Sequence, residues 1–207
     1  MTDAPLPSAP AHRQRALWRW QVPLGVALLS VVLSLGGDTL RELARYERGE
    51  LLAGDVWRLV TAHLVHLGMG HTILNVSALA ILVWLFDEIL DNVEWAVVML
   101  ASALSIDAGL YWFASDVDWY VGLSGVLHGV MIAGSLKLLA ARAPIGMLLL
   151  LLTLGKLAWE QWGGPVPYSE LTAGGPVVVE AHLFGAIGGV AGIALLMLVR
   201  RALRRSL

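Results

Sequence analysis

Ser124 stands in the run Gly122-Leu123-Ser124-Gly125-Val126-Leu127-His128-Gly129 at the mouth of an apolar segment, and Ala181-His182 opens a second one that continues through Gly185 and Gly189. A serine hydroxyl is a weak nucleophile until a neighbouring base takes its proton. A serine and a histidine able to meet inside a membrane therefore point to covalent hydrolysis. Meeting requires the two side chains to approach within roughly 3 Å, which helices lined with bulky residues would not permit. Gly125 and Gly129, and again Gly185 and Gly189, have the small-xxx-small spacing that lets two helix backbones come close.

His71 and Asn75 are four residues apart, so they share one helical face. Both can donate hydrogen bonds and, beside a nucleophile, would suit an oxyanion site. The plainer alternative is that they join helices by hydrogen bonding. His128 follows Ser124 by one turn; it could stack on His182 or bond near it, or simply pack. No Asp or Glu stands out as a third partner: Glu180 faces away from His182 on its helix, and Asp116 and Asp118 fall in a loop. A two-residue Ser124–His182 dyad is the expectation.

Those side chains need apolar elements to carry them, and composition supplies these. The 207 residues are 57% hydrophobic and 14% charged, with a mean hydropathy of +0.72, far from soluble averages. We expect an all-α, polytopic membrane protein. The net charge of -2 and the placing of the arginines give no reason to expect nucleic acid. Cysteine is absent, which removes disulfides, thiolate catalysis and cysteine zinc sites.

A hydrocarbon core of about 30 Å takes roughly 20 apolar residues to cross. The predicted spans are Trp20–Leu35, Gly70–Phe86, Glu94–Phe113, Ser124–Ala141, Pro144–Trp159 and Val177–Leu198, a six-helix bundle forming one domain over 17–205. Residues 1–16, rich in Pro and Ala, read as a disordered cytoplasmic tail, and the first span as a retained signal anchor. Arg13, Arg15 and Arg19 before the first span, and Arg200, Arg201, Arg204 and Arg205 after the last, place both termini in the cytoplasm. Lys137 and Arg142 agree. The first loop, with Arg41, Arg45, Arg48 and Arg58, disagrees, although its interspersed acids suggest that it is folded. Trp18, Trp20 and Trp95 at one side, and Trp112, Trp119, Trp159 and Trp162 at the other, read as interface anchors. In this topology His71, Asn75, Ser124 and His182 all lie early in spans that run inward, so they share a depth near the outer face. Polar groups at such a depth are costly and are functional candidates by default.

A metal or haem centre is the rival from another class, because His63, His66, His71, His128 and His182 lie in or near one half of the bundle. The sequence has no HExxH, and the 63-66-71 spacing scatters the rings, so we expect no metal and no cofactor.

Taken together these residues resemble the rhomboid family of intramembrane serine proteases. Trp57-Arg58 is similar to the family's loop motif, His66 and His71-x-x-x-Asn75 to its second-helix pattern, Gly122-Leu123-Ser124-Gly125 to its nucleophile motif, and Ala181-His182-x-x-Gly185-x-x-x-Gly189 to its sixth helix. The resemblance implies that Ser124 is the nucleophile and His182 the general base. It implies an oxyanion hole of His71, Asn75 and the Ser124 amide, supporting roles for His128, Gly122, Gly125 and Gly185, and a structural role for His66 in holding the first loop. His128 departs from the family, which often has tyrosine there. The strings Thr61-Ala62-His63-Leu64-Val65-His66 and Tyr120 to Gly129 look most like the rhombosortase subgroup. That likeness implies a bacterial inner-membrane enzyme opening to the periplasmic side. Its substrate would be a membrane-anchored protein with a C-terminal tail of Gly-Gly, a transmembrane helix and basic residues. The alternative is a catalytically inactive rhomboid-like binding or escort protein.

Overall fold

The computed structural model describes residues 19–205. The tail expected at 1–16, with Arg13 and Arg15, and the anchor residue Trp18 lie outside the described residues. In chain order the elements are α1 (Gln21–Ser34), α2 (Gly37–Ala44), β1 (Tyr46–Glu47), α3 (Arg48–Ala53), α4 (Arg58–Thr61), α5 (Met69–Phe86), α6 (Asn92–Phe113), β2 (Trp119–Tyr120), α7 (Ser124–Ala140), α8 (Pro144–Gly163), α9 (Ser169–Ala173) and α10 (Val179–Arg205).

The long helices fall where the apolar runs predict, within a few residues at most ends. Local chemistry sets several of these ends. Asp91 and Glu94 form a capping box that starts α6, each side chain bonding the other's backbone N–H. Pro144 starts α8, where a missing N–H costs nothing. α8 continues past the expected end at Trp159 to Gly163, and so takes in Glu160. Three helices, α5, α6 and α10, are long and apolar enough to cross a membrane by themselves. α1 and α7 are apolar but shorter, and α8 carries Lys156 and Glu160 within its length. Leu28, Trp84, Leu152 and Leu195 all point outward and exposed, as side chains facing lipid should be.

α10 is the central post, packed along both α6 and α7, while α8 packs on α7 and α1 on α5. Two glycine pairs make this close contact feasible. A Cβ on Gly185 or Gly189 would meet the carbonyl of Gly125 or Gly129 on α7, and one on Gly188 would lie 2.5 Å from the Ala101 carbonyl oxygen on α6. Successive residues turn about 100°, so the 185/189 and 188/192 pairs sit about 60° apart and serve two adjoining faces. At the bundle end remote from Ser124, Glu94 of α6 takes Lys137 of α7 at 2.5 Å and Arg200 of α10 at 2.7 Å, which clamps the three helices.

The first loop is folded, and its arginines are occupied. Arg41 pairs with Asp38 and Arg45 with Glu47; Arg48 caps the carbonyls of Leu110, Tyr111 and Ala114 at the end of α6. Buried Arg58 bonds Asp55 and the carbonyls of Glu42 and Arg45. Side chains spent in this way are tied into the folded loop. One tryptophan departs from its expected role: Trp95 is 1% exposed, within the core beside Phe86 and Val98, rather than at an interface.

Candidate active site

Ser124 is the first residue of α7, where the N–H groups have no partner within the helix. The turn that delivers it depends on Gly122, whose φ of +121° suits glycine; a Cβ there would also stand 3.0 Å from His71 Cε1. The turn is tied down on both sides. Gly122 N–H donates to the Ala62 carbonyl at 2.9 Å, and the Tyr120 hydroxyl donates to the Gly122 carbonyl at 2.5 Å. Antiparallel pairing of Tyr46 with Tyr120 links this turn to the first loop.

His182 lies in the first turn of α10 and is buried. Its Nε2 is 3.0 Å from Ser124 Oγ. The approach follows from the glycines: a Cβ on Gly125 would lie 2.6 Å from the Ala181 carbonyl oxygen, and one on Gly129 would lie 2.5 Å from that of Gly185.

Contrary to the sequence expectation of a pair without a carboxylate, Glu160 of α8 is bonded to His182, with its Oε2 2.9 Å from Nδ1. Glu160 is 2% exposed. Its other oxygen accepts from Lys156 Nζ at 2.6 Å. Nothing in the spacing to His182 marks Glu160, because the two belong to different helices. A signal was nonetheless present: Lys156 and Glu160 form an i,i+4 pair at the end of an apolar segment.

His128 does more than pack. Its ring stacks on His182 with centroids 4.2 Å apart and planes 22° apart. Its Nδ1 is 2.8 Å from the Ser124 carbonyl oxygen and its Nε2 is 3.0 Å from Lys156 Nζ.

The expected oxyanion residues are placed differently from each other. His71, in the first turn of α5, lies against the turn at Gly122 that precedes Ser124, accepts from Leu67 N–H at 3.4 Å and meets His66 edge-on. Asn75 is buried one turn on, and its Nδ2 donates to the His71 carbonyl at 3.0 Å within its own helix. A primary amide carries a second N–H, which that bond leaves available.

The histidines that suggested a metal centre separate into groups. His63 bonds Asp107 at 3.2 Å, His66 meets His71, and His128 meets His182. Among the described residues, His128, Glu160 and His182 are the cluster with donor atoms within 4.8 Å of one another. Lys156 already places a cation there, bonded to both His128 and Glu160.

Residues 53–199, well over half of the chain, match the family described as the Rhomboid domain. The chain belongs to the rhomboid family. No curated protein matches it. Rhomboid proteins are intramembrane serine proteases that act on membrane-protein substrates within the bilayer, and the apolar helices of this rhomboid agree with that setting. The matched region contains His71, Asn75, Ser124, His128, Lys156, Glu160 and His182, the whole of the cluster described above.

Proposed function

We propose that this rhomboid is an active serine endopeptidase in which Ser124 is the nucleophile and His182 the general base. The observation that carries the reading is the 3.0 Å contact between Ser124 Oγ and His182 Nε2 at the start of two closely packed helices. His182 takes the hydroxyl proton as Oγ bonds the scissile carbonyl carbon. The oxyanion is met by N–H groups at the α7 N-terminus, with His71 and Asn75 beside it. His182 then protonates the leaving amine as the C–N bond breaks, and water releases the acyl group by the reverse sequence.

The substrate class follows the rhombosortase likeness: a membrane-anchored protein whose C-terminal tail carries Gly-Gly, a transmembrane helix and basic residues. Glycine costs a helix about 1 kcal/mol relative to alanine, so a Gly-Gly stretch frays and exposes its peptide bond. The long helices together act as six spans with both termini cytoplasmic. The site opens at the outer face of a bacterial inner membrane. Supporting this orientation, Arg19, Lys137, Arg142 and Arg200 fall at helix ends remote from Ser124, whereas the first-loop arginines are paired or bonded to carbonyls.

Co-expression of such a tail with wild type and with Ser124→Ala, followed by mass mapping of the tail's C-terminus, tests substrate and chemistry together. Cleavage and fluorophosphonate labelling of Ser124 should both vanish in the variant at unchanged expression. If Ser124→Ala retained full function, the chain would be an escort protein instead.

A further inference from the structure

The Ser124–His182 pair does not end at His182. Lys156 of α8 bridges His128 and Glu160, and Glu160 holds His182, so three helices contribute to one hydrogen-bonded chain. We infer that Glu160 and Lys156 are positioning residues that set the proton on His182 and balance its charge, making a Ser124–His182–Glu160–Lys156 relay. This rests on the protease reading of Ser124 and His182.

The proton assignment follows from donor and acceptor chemistry. An ammonium has only donors and an ionised carboxylate only acceptors. Lys156 Nζ therefore donates to Glu160 Oε1 and to His128 Nε2. His128 must then carry its proton on Nδ1, which donates to the Ser124 carbonyl. Glu160 Oε2 accepts from His182 Nδ1–H, leaving Nε2 bare, and Nε2 is the atom facing Ser124 Oγ. Each proton has one place. The nucleophile helix, the base and its support are fixed in the tautomers that attack requires.

Charge follows the same logic. The Glu160 side chain is 1% exposed, and a bare carboxylate so buried would be expensive. Lys156 neutralises it at rest; its own side chain is 38% exposed, toward a cavity of about 320 Å³ lined by Ala78, Leu127 and Leu152. When Oγ bonds the carbonyl carbon, the proton moves to Nε2. The new imidazolium and oxyanion then add to the Lys156–Glu160 pair with no net charge. The other titratable groups around His182 are His128 on α7, His71 on α5 and Glu180 on α10. Asp107 of α6, which packs along α10, bonds His63 through Oδ1.

The test uses the full-length enzyme in proteoliposomes with a transmembrane substrate whose cleavage Ser124→Ala abolishes. Glu160→Gln should lower kcat by about 10²- to 10⁴-fold with little change in KM, because the amide cannot balance an imidazolium. It should also move the acid limb of the pH–rate profile to lower pH. Lys156→Met should move that limb the opposite way, to higher pH, by removing a cation near His182. Glu160→Asp should recover at least about tenfold over Glu160→Gln. The inference is overturned if Glu160→Gln keeps kcat within about threefold of wild type. It is equally overturned if Glu160→Gln and Lys156→Met leave the profile in place, as a purely structural role would. Cleavage that persists in Ser124→Ala would sink the protease reading itself, a distinguishable result.

Discussion

A methyl group on Gly185 would overlap the carbonyl oxygen of Gly125, so the second turn of α10 meets the first turn of α7 backbone to backbone. This contact sets the distance between His182 and Ser124. Gly185→Ala should push the two helices apart, cost about 1–3 kcal/mol of stability, and reduce turnover by about 10²-fold through misplacement of His182 relative to Ser124. Thermal unfolding in detergent and fluorophosphonate labelling rates measure the two effects. A variant with unchanged labelling would show that the site tolerates a wider crossing.

Asn75 already spends one amide proton on the His71 carbonyl. If its second proton serves the oxyanion, Asn75→Ala should lower kcat by about 10²-fold with KM nearly constant. Steady-state kinetics on a transmembrane substrate decides this. A rise in KM alone would assign Asn75 to substrate binding.

Arg58 is 5% exposed and satisfies two backbone carbonyls and Asp55. Arg58→Leu should leave those groups unpaired in the folded loop and cost about 1–3 kcal/mol for each buried group stranded. A lowered unfolding temperature, with faster proteolysis within 36–68, is the expected result.

His66 is buried outside the membrane-spanning helices, and burial, aided by the neighbouring His71, pushes its pKa down to about 3. Above the unfolded-state value of about 6.5 the ring is neutral in both states and stability is unaffected. Below that value the unfolded ring binds a proton that the folded ring refuses. Stability should therefore fall by about 1.4 kcal/mol per pH unit as pH drops from about 6.5 toward 3. Comparing urea unfolding of wild type and His66→Gln across this window should show a shallower decline in the variant.

The segment 163–175, with α9, lies over the start of α5: a Cβ on Gly175 would stand 3.1 Å from Leu67 Cδ1, and one on Gly70 4.0 Å from the Thr172 carbonyl oxygen. The chain has no cysteine, so Leu67→Cys with Gly175→Cys gives a single crosslinking pair. Crosslinking should stop turnover of membrane substrates, while reduction restores it and fluorophosphonate labelling persists throughout. Unchanged turnover would make the segment an ordinary connection.

Much of the candidate site was legible because polar residues are conspicuous in apolar runs. Ser124, His182, His71 and Asn75 stand out within apolar runs, and helical spacing assigns each a depth. His128 was visible as a neighbour of Ser124, but spacing left its role open; its stack on His182 and its bond to Lys156 depend on how α7, α8 and α10 cross. Trp95 was misplaced for a related reason. Its position at a helix end suggests an interface, yet packing turns it into the core.

Sequence alone determined the apolar helices, their small-residue faces and the serine and histidine that open two of them. These are local properties of hydropathy and helical period. Tertiary structure alone decided that Glu160, 22 residues before His182 and on another helix, would be its hydrogen-bond partner. Such a contact depends on the crossing of two helices about a third, and that geometry arises only once the Gly125–Gly185 approach has brought the helices together.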